Sequence, residues 1–317
     1  MHPPLRAGLV QMAPIWLNKE STISKMLSFI DEAAGDGCKI TAFSEALLPG
    51  YPFWIEHTDG AKFESDLQKE YFRIYYANAV DINAGDLDVF REKAREHSMG
   101  LYLGCIEKPA DRGRSLYCSL VYISDRGLIE SVHRKLVPTY EERLVWSPGD
   151  GHGLKVHDLH GFRVGGLNCW ENWMPGARMA LYGQGEDVHL SVWPGNEHNV
   201  EQIVPFIGKE LRGYAIGVCG LFRKEDIPDE LPESQRIKDA SIANAKGGTC
   251  CAGPDGQWLL PPQTGTEGLF TVELSLENII RERHNFDPAG HYSRPDVLKL
   301  HVDRGRQSSL SDDSFST

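Results

Sequence analysis

The sequence predicts an α/β protein whose mixed sheets are covered by helices, and three observations indicate this class. Short apolar runs rich in β-formers alternate with segments of helical periodicity along most of the 317 residues. Hairpin signals, such as the turn at Asp125-Arg126-Gly127, are mixed into this alternation, which favours sheets with both parallel and antiparallel strands. The composition, with 41% hydrophobic and 25% charged residues, is typical of a globular chain that buries a substantial core.

The first half of the chain contains five predicted strands and two helical regions. The strands are expected at residues 5–13, 39–43, 101–106, 115–124 and 128–134. A helix is expected at residues 22–34, where Ile23, Met26 and Ile30 recur at helical spacing, and Gly35 ends it. Residues 62–100 have a mostly helical pattern with a break at Ala84 and Gly85.

The second half continues the alternation. Further strands are expected at residues 162–169, 188–192, 242–245, 248–251, 257–260 and 269–274, and helices at 177–184, 201–216 and 276–283. Residues 223–239 are charged and contain proline, which indicates a surface loop. Because no repeat or linker interrupts the pattern, we expect a single domain over residues 1–303. Residues 304–317 are polar, with five serines, and are expected to form a disordered tail.

Charge and cysteine usage argue against several classes of protein. The net charge of −12 argues against binding of nucleic acid or of anionic membranes. The seven cysteines are odd in number and form no Cys-x-x-Cys pair, so neither a disulfide framework nor a metal site is expected. The first residues lack a signal-peptide pattern, and the longest apolar run, residues 213–222, is about half the length that a bilayer requires. We therefore expect a cytoplasmic protein with reduced thiols.

Cys169 is the candidate nucleophile with the most informative surroundings. A buried strand is expected to end at this cysteine, and Pro175 suits the first turn of the following helix. A sharp strand-to-helix turn exposes one side chain and leaves backbone N–H groups free to bind an anion. A lone cysteine is more often a buried structural thiol, but the two glycines upstream and this turn favour a functional role. A nucleophilic thiol also needs a neighbouring base or positive charge, because its ordinary pKa is near 8.5.

Two other segments provide such partners. Glu45 follows an apolar strand and precedes an aromatic, proline-rich loop, so poor solvation is expected to raise its pKa toward that of a useful base. Lys135 ends another strand, seven residues before Glu142, and its compact ammonium suits developing negative charge. Taken singly, each residue has an ordinary alternative: a glutamate that caps a loop, or a strand-end lysine that reaches solvent.

The order of these three residues along the chain resembles that of the nitrilase, or carbon–nitrogen hydrolase, superfamily. The match extends from residues 8–14 (GLVQMAP) to residues 287–296 (DPAGHYSRPD). The segments that resemble the true nitrilase branch are residues 44–52 (SEALLPGYP), 134–139 (RKLVPT, with Glu142 and Arg143 following) and 168–172 (NCWEN). One difference lies near Tyr140, where many nitrilases carry histidine or alanine.

The resemblance implies an α-β-β-α sandwich with Glu45, Lys135 and Cys169 as a catalytic triad that needs no cofactor. It implies that Glu142 supports the triad by orienting either Lys135 or the substrate, and that the backbone N–H of Trp170 helps to hold developing charge. It further implies a dimer that often extends into spiral oligomers. Residues 175–182, which are apolar and rich in small side chains, suit such a symmetric helix interface.

The activity implied by the resemblance is hydrolysis of a small-molecule nitrile to the carboxylic acid and ammonia through covalent thioimidate and thioester intermediates. Aromatic side chains near the predicted site favour an aromatic or arylaliphatic nitrile. The expected substrate-binding residues are Tyr51, Trp54, Trp170, Trp193 and Pro194, although aromatic residues more often belong to a core or an interface. Two alternatives stay open: an amidase or cyanide-hydrating enzyme with the same triad, and a catalytically silent oligomeric binding protein.

Overall fold

A computed structural model describes residues 3–240 and 245–308, in which two β-sheets pack face to face with helices on their outer sides. The α/β class with mixed sheets and the α-β-β-α sandwich that the resemblance implies are therefore both confirmed. None of the helices in the described part of the chain combines the length and the apolar character that a bilayer-spanning segment needs.

The strands of both sheets follow the chain in thirteen described segments. They are β1 (Leu5–Gln11), β2 (Ile40–Phe43), β3 (Gly100–Glu107), β4 (Tyr117–Ile123), β5 (Ile129–Arg134), β6 (His157–Leu159), β7 (Phe162–Asn168), β8 (Val188–Trp193), β9 (Tyr214–Cys219), β10 (Leu221–Phe222), β11 (Ala245–Ala252), β12 (Trp258–Thr264) and β13 (Gly268–Leu274). The first sheet has the order β13-β1-β2-β3-β4-β5, and the second has the order β10-β11-β9-β8-β7-β6 with β12 beside β11. Both are mixed, since β1–β2–β3 and β7–β8–β9 are parallel and the remaining pairs are antiparallel.

Most of the described helices connect these strands along the chain, and the last helix follows β13. The α-helices are α1 (Lys19–Gly35), α2 (Trp54–His57), α3 (Asp66–Asn78), α4 (Asp88–His97), α5 (Pro175–Tyr182), α6 (Ile203–Leu211), α7 (Ser234–Asp239) and α8 (Leu276–Arg283). Two short 3₁₀ helices, Tyr140–Leu144 and Cys169–Trp173, carry residues discussed below. Helix α1 begins three residues before its predicted start because the Asn18 side chain accepts a hydrogen bond from the Ser21 N–H.

Three apolar layers hold the sandwich together. Between the sheets, side chains such as Leu120 of β4 and Leu190 of β8 belong to one buried cluster. Outside the first sheet, α1 and α4 bury residues such as Ile30 and Phe90 against the strands, and α5 and α6 cover the second sheet. These layers are what the alternation of strand and helix patterns requires, because each sheet must cover both of its faces.

The helix predicted at residues 201–216 is wrong in its second half. Helix α6 ends at Leu211, and Arg212 takes a left-handed φ of 53°. Gly213 then packs so closely that an added Cβ would lie 2.5 Å from the backbone oxygen of Asp187. The residues that follow form β9, which is buried along its whole length. A strand buried on both faces is continuously apolar, so periodicity does not distinguish it from a buried helix.

Three other segments complete the comparison with the sequence. Residues 242–244 of the strand predicted at 242–245 lie outside the described residues, and Ala245 begins β11. In the predicted tail, Arg306 forms a 3.0 Å ion pair with Asp150, and residues 309–317 lie outside the described part. The predicted surface loop at 223–239 contains the short helix α7, whose Ile237 is buried.

Candidate active site

The candidate residues follow the carboxyl ends of three strands. Glu45 comes just after β2, Lys135 directly after β5, and Cys169 directly after β7. In the first sheet β2 is parallel to β3, and β3 and β5 both pair antiparallel with β4, so β2 and β5 end at the same edge. Gly104 permits the backbone at Ser44 and Glu45 to cross β3, because an added Cβ would lie 2.0 Å from the Ser44 oxygen.

Lys135 joins two glutamates in a buried ionic cluster. Its Nζ lies 2.8 Å from Glu45 Oε1 and 2.7 Å from Glu142 Oε2, and all three side chains are at most 1% exposed. The Thr139 N–H donates a 2.6 Å hydrogen bond to Glu142 Oε2, and the Tyr51 hydroxyl lies 3.0 Å from Glu142 Oε1. The ammonium is thereby held at a fixed position, with its charge balanced on two sides.

Cys169 completes the cluster from the second sheet. Ligand-type atoms of Cys169, Glu45 and Glu142 all lie within 4.8 Å of one another. Such a group of thiol and carboxylates has the donor types of a metal site, but both carboxylates already pair with the Lys135 ammonium, which supplies the positive charge there. The four residues that the sequence singled out are therefore brought together.

The charges of the cluster set the protonation of each member. Burial raises the pKa of Glu45 to about 7; Lys135 opposes this rise and Glu142 adds to it. Burial also raises the pKa of the Cys169 thiol well above its ordinary value, although Lys135 opposes this rise. Burial disfavours the ammonium of Lys135, but its interactions with the acidic groups around it, Cys169, Glu45 and Glu142, outweigh burial and hold its pKa well above the usual range. At rest the lysine is charged and the thiol is protonated, with a carboxylate nearby that titrates near neutrality.

The backbone around Cys169 forms a strained turn that hydrogen bonds from neighbouring side chains hold in place. Cys169 has a φ of 50°, which a non-glycine residue adopts only where its surroundings enforce it. The Asn172 side chain donates a 2.7 Å hydrogen bond to the Cys169 carbonyl, and its own oxygen lies 2.8 Å from the buried His189 ring. The Trp170 N–H is hydrogen-bonded to the Cys169 sulfur, where it favours the charged form and lowers the thiol pKa.

The predicted substrate-binding residues fall into three groups. Tyr51 and Pro194 line a small cavity beside Glu45, and Tyr51 also reaches Glu142. Trp54 is buried in the core and stacks on Tyr71 with ring centroids 5.2 Å apart. Trp193 is fully buried in the apolar cluster that contains Cys169, whereas the Trp170 side chain is half-exposed.

A larger cavity of about 730 Å³ opens beside the 3₁₀ helix that carries Glu142. Its walls come from two segments, helix α2 with the turn after it and the exposed side of that 3₁₀ helix. The lining residues are Ile55, Glu56, Asp59, Gly60, Ala61, Lys62, Tyr140, Glu141, Arg143 and Leu144. Of these lining residues only Tyr140 and Arg143 were named from the sequence, because residues 55–62 have no motif of their own.

Sequence reasoning also missed two contacts of the site. The Cys118 thiol lies 3.6 Å from Glu45 Oε1, although this cysteine carried no signal in the sequence. The β4–β5 hairpin places it there, because the Lys135 N–H donates to the Cys118 carbonyl across the strands. The second missed residue is Glu171, which contacts both sides of the cluster through the backbone. The register of the β4–β5 hairpin was the available signal for Cys118. For Glu171 the spacing Asn168-x-x-Glu171, a capping-box pattern, was the signal for the Asn168 contact, whereas the Leu136 contact is tertiary.

Comparison with known proteins gives concordant similarities over nearly the whole chain. Residues 6–283 match the family model of carbon–nitrogen hydrolases. The chain is 32% identical over 302 residues to Nitrilase 2 of Arabidopsis thaliana, covering 94% of this chain and 88% of that protein. It is 34% identical over 310 residues to an aliphatic nitrilase of Rhodococcus rhodochrous, covering 94% and 79%. Its fold is similar to that of Saccharomyces cerevisiae Nit3, of branch 10 of the nitrilase superfamily, with a TM-score of 0.71, 15% identity and coverage of 92% and 97%.

Proposed function

The chain belongs to the carbon–nitrogen hydrolase family, and from this premise we propose that it is a nitrilase acting through a covalent cysteine intermediate. As a member of this family it is a hydrolase that acts on carbon–nitrogen bonds. The observation that carries the proposal is the cluster of Cys169, Glu45 and Glu142 around the Lys135 ammonium. It combines a nucleophile, a base and a positive charge in one buried place.

The first half of the proposed reaction forms a thioimidate. Glu45 takes the proton of the Cys169 thiol, the sulfur attacks the nitrile carbon, and the proton passes to the nitrile nitrogen. The Lys135 ammonium and the Trp170 N–H stabilise the negative charge that grows on that nitrogen. The raised pKa of Glu45, about 7, suits a group that both accepts and returns a proton near neutrality.

The second half consumes two water molecules. Glu45 activates the first water, which adds to the thioimidate carbon, and the nitrogen leaves as ammonia to give a thioester. A second water attacks the thioester carbon, the Cys169 sulfur leaves and recovers its proton, and the carboxylic acid is released. In this scheme Glu142 orients Lys135, which its 2.7 Å contact and the 2.6 Å hydrogen bond from the Thr139 N–H support.

We propose an aromatic or arylaliphatic nitrile as substrate, with its side chain in the cavity beside Tyr140. The walls offer apolar and aromatic surface from Ile55, Tyr140 and Leu144, and the volume of about 730 Å³ accommodates a ring. Tyr51 and Pro194 line the space nearest Glu45 and are the proposed contacts to the reacting end of the substrate. Trp54 and Trp193 are buried in the core and line neither of these two cavities.

The substrate proposal predicts the products of a nitrile panel. Phenylacetonitrile and benzonitrile are expected to give acid and ammonia in equal amounts with little free amide, because both water steps occur on the bound intermediate. Acid and amide are measured by chromatography and ammonia by a coupled assay, with valeronitrile as the aliphatic comparison. Dominant free amide contradicts the proposed course, and turnover of amides or cyanide but not of nitriles assigns the triad to the alternative activities.

We also propose that two chains associate through the face formed by α5 and α6. Apolar side chains are exposed on this face, including Met174, Met179 and Phe206, and the Arg178 guanidinium over the Phe206 ring joins the two helices. A small-residue helix with an exposed apolar surface suits a symmetric interface. Longer spiral assemblies are expected to build on this dimer.

Light scattering at micromolar concentration tests this interface. The native chain is expected at twice its 35.4 kDa mass or more. Met179→Glu is expected to release monomer because it places a charge in the apolar contact. Leu128→Glu is the matched control, since Leu128 is similarly exposed but lies in the turn before β5. A native chain that scatters only as a monomer contradicts the proposal.

A cytoplasmic location is the last part of this proposal. All seven cysteines are free and buried. Free thiols without a disulfide partner suit a reducing compartment.

A further inference from the structure

Glu171 holds an unusual position between the two sheets. It lies two residues after Cys169, its side chain is fully buried, and each of its carboxylate oxygens accepts a backbone hydrogen bond. Oε1 accepts from the Leu136 N–H at 2.6 Å, and Oε2 accepts from the Asn168 N–H at 2.8 Å. The buried His133 ring lies 3.1–3.2 Å from both oxygens.

These two backbone contacts belong to the segments that carry the reacting groups. Leu136 directly follows Lys135 at the end of a strand of the first sheet, and Asn168 directly precedes Cys169 at the end of a strand of the second. From this geometry we infer that Glu171 is a positioning residue that fixes Cys169 relative to Lys135. The inference rests on the proposed function, since it concerns the same site, but it adds a residue that touches neither substrate nor reacting atoms.

The contacts require an ionised carboxylate. Both oxygens must accept hydrogen bonds, and an amide offers only one oxygen, so its NH₂ group would face a backbone N–H. Burial opposes the charge of Glu171, but His133 and the two N–H donors favour it and hold its pKa below the ordinary value. Aspartate is one methylene shorter and cannot reach Leu136 and Asn168 from the same backbone position.

A second hydrogen-bond network, which does not include Glu171, also holds the turn at Cys169. Asn172 holds the Cys169 carbonyl and is itself bonded to His189, which pairs with Glu186. Loss of Glu171 therefore leaves the turn attached to its own sheet. The loss of Glu171 removes the pair of hydrogen bonds that connects that turn to the segment after Lys135.

The test compares Glu171→Gln with a matched variant, Asp187→Asn. Asp187 is also buried; one oxygen accepts the Arg163 N–H at 3.0 Å and the other pairs with Arg283 at 2.9 Å. It lies at the opposite end of β7, so its loss has a comparable structural cost away from the site. The readouts are melting temperature, kcat and KM on a nitrile, and the rate of Cys169 alkylation by iodoacetamide, followed by intact mass.

Glu171→Gln is expected to lower kcat by about 10²-fold with little change in KM, as a small misplacement of reacting groups does. Its alkylation is expected to slow, because the ammonium that favours the thiolate is no longer held beside the sulfur. Asp187→Asn is expected to lose melting temperature similarly while keeping both rates. Equal rate losses in the two variants, or unchanged alkylation in Glu171→Gln, overturn the inference.

A milder variant serves if Glu171→Gln does not fold. His133→Gln keeps a donor to the carboxylate but weakens its charge pairing. We expect a several-fold loss in kcat and in alkylation rate with unchanged KM, and a change confined to KM contradicts the inference. Alkylation needs no nitrile turnover, so an enzyme that hydrolyses no nitrile refutes the proposed function and leaves this test of Glu171 in place.

Discussion

Replacement of Cys169 by alanine is expected to abolish nitrile turnover while the fold and its assembly stay intact. The sulfur is the atom that bonds to the nitrile carbon, and no neighbouring group in the cluster replaces it. Alanine tolerates the same left-handed turn about as well as cysteine does, so the backbone strain at this position changes little. The measurements are ammonia release, melting temperature and light scattering. Turnover at the native level in this variant refutes the assignment.

The other cysteines provide the controls for that experiment. Cys38, Cys105, Cys219, Cys250 and Cys251 are buried packing residues, and single replacement of each is expected to leave activity with modest stability losses. The sequence gives no reason to separate Cys118 from this group. The structure does, because its thiol lies 3.6 Å from Glu45 Oε1. Cys118→Ser, which keeps a donor there, is expected to retain more activity than Cys118→Ala.

Glu45→Gln is expected to lower turnover by about 10²–10⁴-fold, the usual contribution of a general base. Glutamine keeps the shape of the side chain but accepts no proton from Cys169 or from water. Native activity is expected to rise with pH through about 7, since Glu45 must be deprotonated to act as a base and burial raises its pKa to that value. The variant is expected to lose this rise. Full activity in Glu45→Gln removes the proposed base.

Intact-mass spectrometry sharpens the test of Glu45. If Glu45→Gln slows the water steps more than it slows attack by the Cys169 thiol, a nitrile adduct on Cys169 is expected to accumulate in the variant and not in the native enzyme. Lys135→Arg is the companion variant, because its planar guanidinium keeps the charge but not the compact ammonium that fits between Glu45 and Glu142. It is expected to be inactive without an adduct. Retained activity in Lys135→Arg shows that charge alone suffices.

Local patterns in the sequence predict the fold class, and the resemblance to the nitrilase superfamily implies which residues meet at the site. Strand ends, a turn before Pro175 and three motifs place Glu45, Lys135 and Cys169 at strand termini, and the structure brings them together with Glu142. Their catalytic roles stay predictions that the variants above test.

What the sequence does not predict depends on tertiary contacts. No local pattern indicates that Trp54 stacks on Tyr71 in the core, or that Glu171 reaches the backbone of Leu136. Aromatic residues near a motif have the same composition whether they line a pocket or fill the interior. The β9 segment was predicted as part of a helix for a similar reason. A fully buried strand and a buried helix both appear as continuous apolar sequence, so the sequence alone does not distinguish them.

The division of the site between two sheets has a consequence for how activity arises during folding. Glu45 and Lys135 belong to the first sheet and Cys169 to the second, so neither sheet alone contains a nucleophile together with its base. Long-range pairings form at a larger entropic cost than local ones, and this one requires the two layers to dock. Catalytic competence is therefore a property of the docked sandwich, and its recovery from the denatured state reports the docking of the sheets more directly than their secondary structure.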